Sequence, residues 1–372
     1  MSDVTRNAAA GSSAQAKVKC SWGCRHVSRE QLKEDYSLLS DSRPPAVGDV
    51  AVVAVKEVGY HHHLDTAEAR RFRMYEGDHL LCVFGNRYAT DVYEGKVLAL
   101  DDNKLHLLSR SGVIGTVVSR NRDVKEPTTL SLRGYLGDAS GNRINLIDLA
   151  KARKPGSSRP DAGLAVVLVV GTGMNTGKTT VTRRVLHELV QRGLNVAGCK
   201  LTGTTSPRDL QEMQSTGALV ATDFSDYGFP STYGATLPEL ILLFNRMLDA
   251  CGRAKPDVVI MEIADGILQR ETEMLLGDEE FRRRVRGVIV TAPCAASALY
   301  AASRVEKAGL GVWAVSGIIT NSPLFVQEFS GRSSVPVASS RTGKALADLV
   351  ADRLALHAPK NQPMASVASS IP

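Results

Sequence analysis

The sequence predicts an α/β protein in which a mostly parallel sheet flanked by helices follows a small β-rich, barrel-like domain. Three observations predict it. In the second half, apolar runs alternate with helix-length amphipathic segments, the rhythm of βα units on a parallel sheet. In the first half, short β-rich runs are separated by turn residues, the pattern of a small barrel or sandwich. Between the halves, residues 151–160 (KARKPGSSRP) combine basic residues, Gly, Ser and two prolines, a composition that suits an exposed linker.

The clearest first-half strands are 49–58, 79–84, 91–100, 104–108 and 115–118. Gly85-Asn86, Asp101-Asp102-Asn103 and Ser111-Gly112 supply turns between them. In the second half, expected strands 165–170, 195–199, 258–261, 287–290 and 312–319 alternate with expected helices 179–192, 237–251, 295–308 and 343–356. The organisation that follows is a disordered tail over 1–19, a β-rich domain over 20–150 and a linker over 151–162. The α/β domain then spans 163–356, and a second disordered tail covers 357–372.

A chain of 372 residues suits two domains, and 43% hydrophobic with 23% charged residues is ordinary for a soluble globular protein. The net charge of +6 admits an anionic partner without implying nucleic acid, which is not expected as a partner. Six cysteines without regular spacing do not form a disulfide framework, so a reduced, cytoplasmic setting is expected. Residues 1–19 lack the apolar stretch of a signal peptide. The longest apolar run, 164–170, is too short to span a bilayer, so no membrane association is expected.

The most informative segment is Leu168-Val169-Val170-Gly171-Thr172-Gly173-Met174-Asn175-Thr176-Gly177-Lys178-Thr179-Thr180. It leaves an expected strand and opens an expected helix, the context of a phosphate-binding loop, and so of a P-loop NTPase domain. Glycines let successive backbone N–H groups turn inward around phosphate oxygens, and the helix N-terminus adds partial positive charge. Lys178 would reach the β- and γ-phosphates, and the Thr179 hydroxyl would ligate Mg²⁺. The nucleotide-binding candidates are Gly171, Thr172, Gly173, Asn175, Thr176, Gly177, Lys178, Thr179 and Thr180. The usual spacing puts the first Gly five positions before Gly177, where Thr172 stands. Gly171 lies six before, so the loop is one residue longer.

That longer loop resembles the GTDTxxGKT loop of dethiobiotin synthetases, within a wider group of P-loop ATPases that includes the cobyrinic acid diamide synthases. Lys200-Leu201-Thr202-Gly203-Thr204 resembles the KPVxS segment of that family. There the lysine helps to bind substrate and developing phosphate charge, and the serine at the position of Thr204 touches substrate. Glu262-Ile263-Ala264-Asp265-Gly266 resembles the EGAGG segment, whose glutamate serves the metal. Gly317-Ile318-Ile319-Thr320-Asn321 resembles the segment whose asparagine, here Asn321, reads the base. The resemblance covers about 165–339. Gly173 and Met174 stand where the family has Asp and Thr, and Leu201 where it has Pro. The segments around Asp223-Phe224 and Pro230 to Tyr233 more faintly resemble the P-loop domain of D-glutamate N-acetyltransferase-like proteins. A related branch places a second lysine five residues before the loop lysine. Gly173 occupies that position, which disfavours a dimer switch of that kind.

Phosphoryl transfer needs charge neutralisation and alignment more than covalent help. The catalytic candidates are therefore Lys178, Lys200 and Glu262, and the metal candidates are Thr179, Glu262 and Asp209. A glutamate directly after an apolar strand is poorly explained as a core residue. Helix N-terminal charge explains Asp209 nearly as well, Asp223 and Asp226 are alternative carboxylates, and Asp265 is equally explained as a turn aspartate. Arg270 either caps a helix or faces substrate, and Arg282-Arg283-Arg284 reads as a solvated helix face. Asn321 for base reading is balanced by a turn role. In the first half, Cys20, Cys24 and His26 have spacing only loosely suited to zinc, and His61-His62-His63 alternate faces if extended.

The leading expectation is an ATP- and Mg²⁺-dependent biosynthetic enzyme that activates a small acidic metabolite, a carboxylate, by phosphoryl transfer. Its partners are then a nucleoside triphosphate and that metabolite, and a homodimer is compatible with it. The alternatives are a regulatory NTPase or adaptor whose β-rich domain binds a protein or nucleic acid, and a small-molecule kinase.

Overall fold

The computed structural model describes residues 18–27, 37–101, 104–152 and 163–356. The expected tails and linker fall outside the described residues, except for residues 18, 19, 151 and 152. The chain divides into two compact units. One comprises Met1–Pro155, Leu201–Leu210 and Asp223–Leu243; the other comprises Gly156–Lys200, Gln211–Thr222 and Phe244–Pro372. The first unit thus includes two stretches from the second half of the chain.

The first unit holds β1 (Lys19–Cys20), β2 (Ser37–Leu39), β3 (Val50–Glu57), β4 (His63–Asp65), β5 (Arg71–Arg73), β6 (His79–Phe84), β7 (Arg87–Tyr88), β8 (Tyr93–Lys96), β9 (His106–Leu107), β10 (Val113–Arg120) and β11 (Thr129–Gly137), then helix α1 (Leu146–Ala152). Strand β3 pairs with β6 and β11, β11 with β9, β9 with β10, and β10 with β6, which closes a five-stranded ring. Closure removes sheet edges, so the β-rich half is a barrel. Strand β3 reads VAVVAVKE and is buried on both faces. Ala51, Val53 and Val55 join one cluster with Leu80, Phe84 and Leu130, while Val50 and Val52 join another with Leu81, Val83 and Leu146. This explains why β3 lacks the polar alternation of a one-sided sheet.

The expected strands 91–100, 104–108 and 115–118 shift to Tyr93–Lys96, His106–Leu107 and Val113–Arg120. Strand β11, the longest in the barrel, escaped the sequence reading. Its TLSLRGYLG pattern is broken by Arg133 and by Gly134 at φ +158, where its pairing with β3 changes register.

The second unit carries β12 (Val166–Gly171), α2 (Lys178–Gln191), β13 (Val196–Lys200), α3 (Pro207–Gln214), β14 (Val220–Asp223), α4 (Leu237–Arg253), β15 (Val258–Glu262), α5 (Arg270–Gly277), α6 (Glu279–Arg284), β16 (Val285–Thr291), α7 (Ala295–Lys307), β17 (Val312–Ser316), α8 (Pro323–Ser330) and α9 (Lys344–Leu354). Parts of α3, α4 and β14 are counted with the barrel unit. The sheet order is β14-β13-β15-β12-β16-β17. Strand β12 runs parallel to β15 and β16, β13 to β15, and β16 to β17. Strands β12, β13 and β15 are buried throughout, as sheets covered on both faces require. Helix α2 packs on β12, β13 and β15 and against α9, while α7 packs on β16 and β17 and against α8.

The expected strand 312–319 stops at Ser316. Gly317 then turns at φ +85, and a 3₁₀ segment runs to Asn321. Strand β14 and helices α1 and α8 escaped the sequence reading, while α3, α5 and α6 were touched only through the helix readings of Asp209, Arg270 and Arg282 to Arg284.

Candidate functional site

The parallel register decides which side chains meet at the carboxyl edge of the sheet. Lys200 ends β13 directly beside Glu262, which ends β15, and Val169 lies on the other side of Glu262 in β12. Gly171 ends β12 beside Thr291, the last residue of β16. Ligands collect beyond this edge of an open α/β sheet, because the strand ends open into loops there.

Residues 172–177 form the loop between β12 and α2, as the motif demands. Gly177 lies at φ +101 and Asn175 at φ +56, both left-handed, so the chain curls before the helix begins. Lys178 is the first residue of α2 and is only 6% exposed. Its ammonium donates to Gly173 O and to Asp265 O, each at 2.6 Å. The β15–α5 loop thus lies over the phosphate loop. Gly266 lets this happen, since a side chain there would come within 2.9 Å of Gly173 Cα and Thr172 O. Gln269 holds the same loop by accepting from the Asp265 N–H at 3.1 Å.

Glu262 is 2% exposed, and two donors converge on it. The Thr179 hydroxyl donates to its Oε1 at 3.2 Å, and Lys200 Nζ, itself 7% exposed, lies 3.3 Å from the same oxygen. A buried carboxylate is stable only with such partners. The cluster of Lys178, Thr179, Lys200 and Glu262 therefore brings together four candidates from three separate segments. Thr172 donates its N–H to Thr291 O at 3.0 Å, and Thr180 is exposed on α2. Gly173 faces open space, so a side chain there would meet nothing.

This is a P-loop NTPase fold. The strand, curled loop and helix with its leading lysine occur together beside a strand-end carboxylate.

No family model matches the chain, and no curated protein does. Among solved structures, a signal recognition particle receptor FtsY from Elizabethkingia anophelis is 16% identical with a TM-score of 0.34, covering 56% of this chain and 74% of that one. HypB from Helicobacter pylori, solved in complex with nickel, is 14% identical with a TM-score of 0.36, covering 59% of this chain and 99% of that one. Signal recognition particle 54 kDa protein from Aeropyrum pernix K1, in complex with GDP, is 18% identical with a TM-score of 0.34. It covers 56% of this chain and 50% of that one. At such values the chemistry has to be read from the site itself.

Asp209 lies in the first turn of α3, in a stretch counted with the barrel unit. Asp223 and Asp226 are engaged within the barrel unit. Arg25 Nη2 lies 2.6 Å from Asp226 and 3.5 Å from Asp223, and His26 lies 3.1 Å from Asp226. Burial raises the Asp223 pKa, and the neighbouring Asp226 raises it further. Thr204 forms an isolated bridge with Ser231 in that same unit. Asp265 contributes through its backbone carbonyl. Arg270 opens α5 with its guanidinium 2.7 Å from Glu271. Arg282 is not simply solvated, since it donates to Ala308 O at 2.6 Å. Asn321 is exposed at the end of the 3₁₀ segment.

Two residues at the loop were missed by sequence reasoning, Thr291 and Gly317. Thr291 was hidden because the expected strand 287–290 stopped one residue short of it. Gly317 was assigned to strand interior, although a lone Gly near a strand end signals a turn.

Proposed function

We propose that the phosphate-loop unit binds a nucleoside triphosphate and transfers or hydrolyses its terminal phosphate. The observation that carries this reading is the convergence of Lys178, Thr179, Lys200 and Glu262 at the loop. Lys178 would leave the Gly173 and Asp265 carbonyls for phosphate oxygens, which are better partners for an ammonium. The loop N–H groups and the start of α2 would hold the phosphate chain. The donor set near Glu262 is all oxygen and fits Mg²⁺, which takes one or two protein ligands and completes its shell with phosphates and water. Thr179 and Glu262 are the residues to hold it. Bound there, the metal would neutralise charge on the β- and γ-phosphates. Lys200, at the neighbouring strand end, would then face the transferred group.

Titration calorimetry of the full chain with ATP and with GTP, each with Mg²⁺, tests this reading. One of them is expected to bind, and Lys178→Ala should weaken that binding by about tenfold to a hundredfold, the worth of a charge-assisted contact. Binding unchanged in Lys178→Ala would sink the proposal.

The finer reading is a synthetase-like reaction that activates a small acidic metabolite, and Lys200 is the observation that favours it. A second buried cation beside the metal carboxylate suits an acceptor carboxylate more than water. A screen of acidic metabolites for stimulation of triphosphate turnover decides the point. Equal turnover with and without every acid would leave plain hydrolysis.

A further inference from the structure

We propose that Thr291 is a positioning residue, a strut from the next strand that fixes the back of the phosphate loop so that its front can grip phosphate. This inference rests on the triphosphate reading above.

Thr291 closes β16 in register with Gly171 and is fully buried. Its carbonyl and its hydroxyl both reach the loop, and the hydroxyl also reaches the end of β12. Its carbonyl accepts the Thr172 N–H at 3.0 Å. Its hydroxyl lies 2.8 Å from the Thr176 hydroxyl and donates to Val170 O at 3.2 Å. Thr176 Oγ1 in turn lies 3.3 Å from Gly173 O, one of the two carbonyls that hold Lys178. Two hydroxyl protons thus serve three contacts, and the chain can run from Thr176 to Val170 or from Thr291 to Gly173. In the second direction, the Gly173 carbonyl acquires a donor that can replace Lys178 when the lysine moves to phosphate.

A second strand end grips the same residue. Ile318 donates its N–H to Thr176 O at 3.2 Å, and any side chain at Gly317 would overlap that oxygen. Gly171 is required for the same fit, since a methyl group there would overlap Thr176 Oγ1 and come within 2.9 Å of Thr291 Oγ1. Thr176 is therefore held by its hydroxyl and by its carbonyl, two residues before Lys178. A buried polar chain of this kind fixes a geometry because each unmade bond inside it is costly. The loop is set from behind, and the transition-state contacts at its front depend on sub-ångström placement.

The test uses Thr291→Val, which keeps the side-chain shape and removes the hydroxyl, and Thr291→Ser, which keeps the hydroxyl. The kcat and KM for the triphosphate that turns over, and thermal unfolding, are measured for both. Thr291→Val should lower kcat by about tenfold with KM moved less than threefold, the size of one buried hydrogen bond expressed in the transition state. Thr291→Ser should restore turnover to within about twofold. Wild-type kinetics in Thr291→Val overturns the role while leaving triphosphate binding intact. So does a failure of Thr291→Ser to rescue, with unfolding temperature falling in step with turnover, because that is the mark of packing alone. A wild-type chain that binds no triphosphate removes the parent reading and this role with it.

Discussion

The two units hold buried charge on different partners. In the barrel unit, Arg143 is held by Asp41 and Asp49, and Arg25 by Asp223 and Asp226, so each guanidinium faces two carboxylates. Around the phosphate loop, Lys200 lies 3.3 Å from the buried carboxylate of Glu262, and Lys178 donates to two backbone carbonyls. Arginine set between two carboxylates, with the carbonyls of Pro44 and Arg43 also accepting from Arg143, is a structural network. Around the loop the ammonium groups instead rest on carbonyls and on one oxygen of Glu262, and a point-charge ammonium exchanges such partners more readily than a guanidinium fork does. The comparison sets a forked arginine network against ammonium groups on partners that are easily exchanged.

The largest effect is expected where the comparison is sharpest on the structural side. Arg143 is nearly buried, and its guanidinium lies 3.5 Å from the centre of the Tyr135 ring. Arg143→Met should destabilise the fold by about 3 to 5 kcal/mol, because Asp41 and Asp49 are left without their cation. Urea unfolding measures it. Loss below about 1 kcal/mol would show that the barrel network is replaceable and would blunt the contrast. Glu262→Gln is the matching change on the other side. It keeps the shape and removes the charge shared by Thr179 and Lys200. Metal-dependent turnover should fall by about tenfold to a hundredfold, with little loss of fold stability. Turnover that survives while stability collapses would place Glu262 with the structural carboxylates.

Much of this contrast was legible in the chain. The loop from Gly171 to Thr180 announces itself because its glycines, lysine and threonine sit at fixed offsets after an apolar run. Glu262 is legible because a charge has no reason to end a buried strand. Lys200 needed the additional idea that adjacent parallel strands bring their ends together, which the register with Glu262 shows. Asp209 and Asn321 were read from order along the chain, and order does not fix three-dimensional placement. Thr291 carried no signal, since a threonine at a strand end is common and its value comes only from the Thr176 hydroxyl opposite. The β-rich half was legible as a small barrel or sandwich because of its turns, but which strands close the ring was not. Its closure depends on the short β9 and on β10 pairing across to β6, and neither is a local property. That the stretches Leu201–Leu210 and Asp223–Leu243 are counted with the barrel likewise has no local signature.

The smallest effect tests whether the barrel also stores charge in a titratable form. His61 is buried beside Arg87, whose guanidinium lies 2.8 Å from its Nε2, and its ring also lies 3.0 Å from Leu108 O. Burial, then Arg87, lowers its pKa from 6.5 to about 3. The sign follows from proton counting. Between pH 6.5 and about 3 the unfolded chain binds a proton at this histidine and the folded chain does not, so stability falls as pH falls through that window. The slope contributed is about 1.4 kcal/mol per pH unit at most. Urea unfolding of wild type and His61→Phe at pH 7, 6 and 5 measures it. The variant should lose part of the wild-type slope whatever its absolute stability. Parallel slopes would mean that His61 takes its proton in the folded barrel as readily as in the unfolded chain. The barrel would then accept a second buried cation beside Arg87, and its arginines would no longer mark a network closed to further charge.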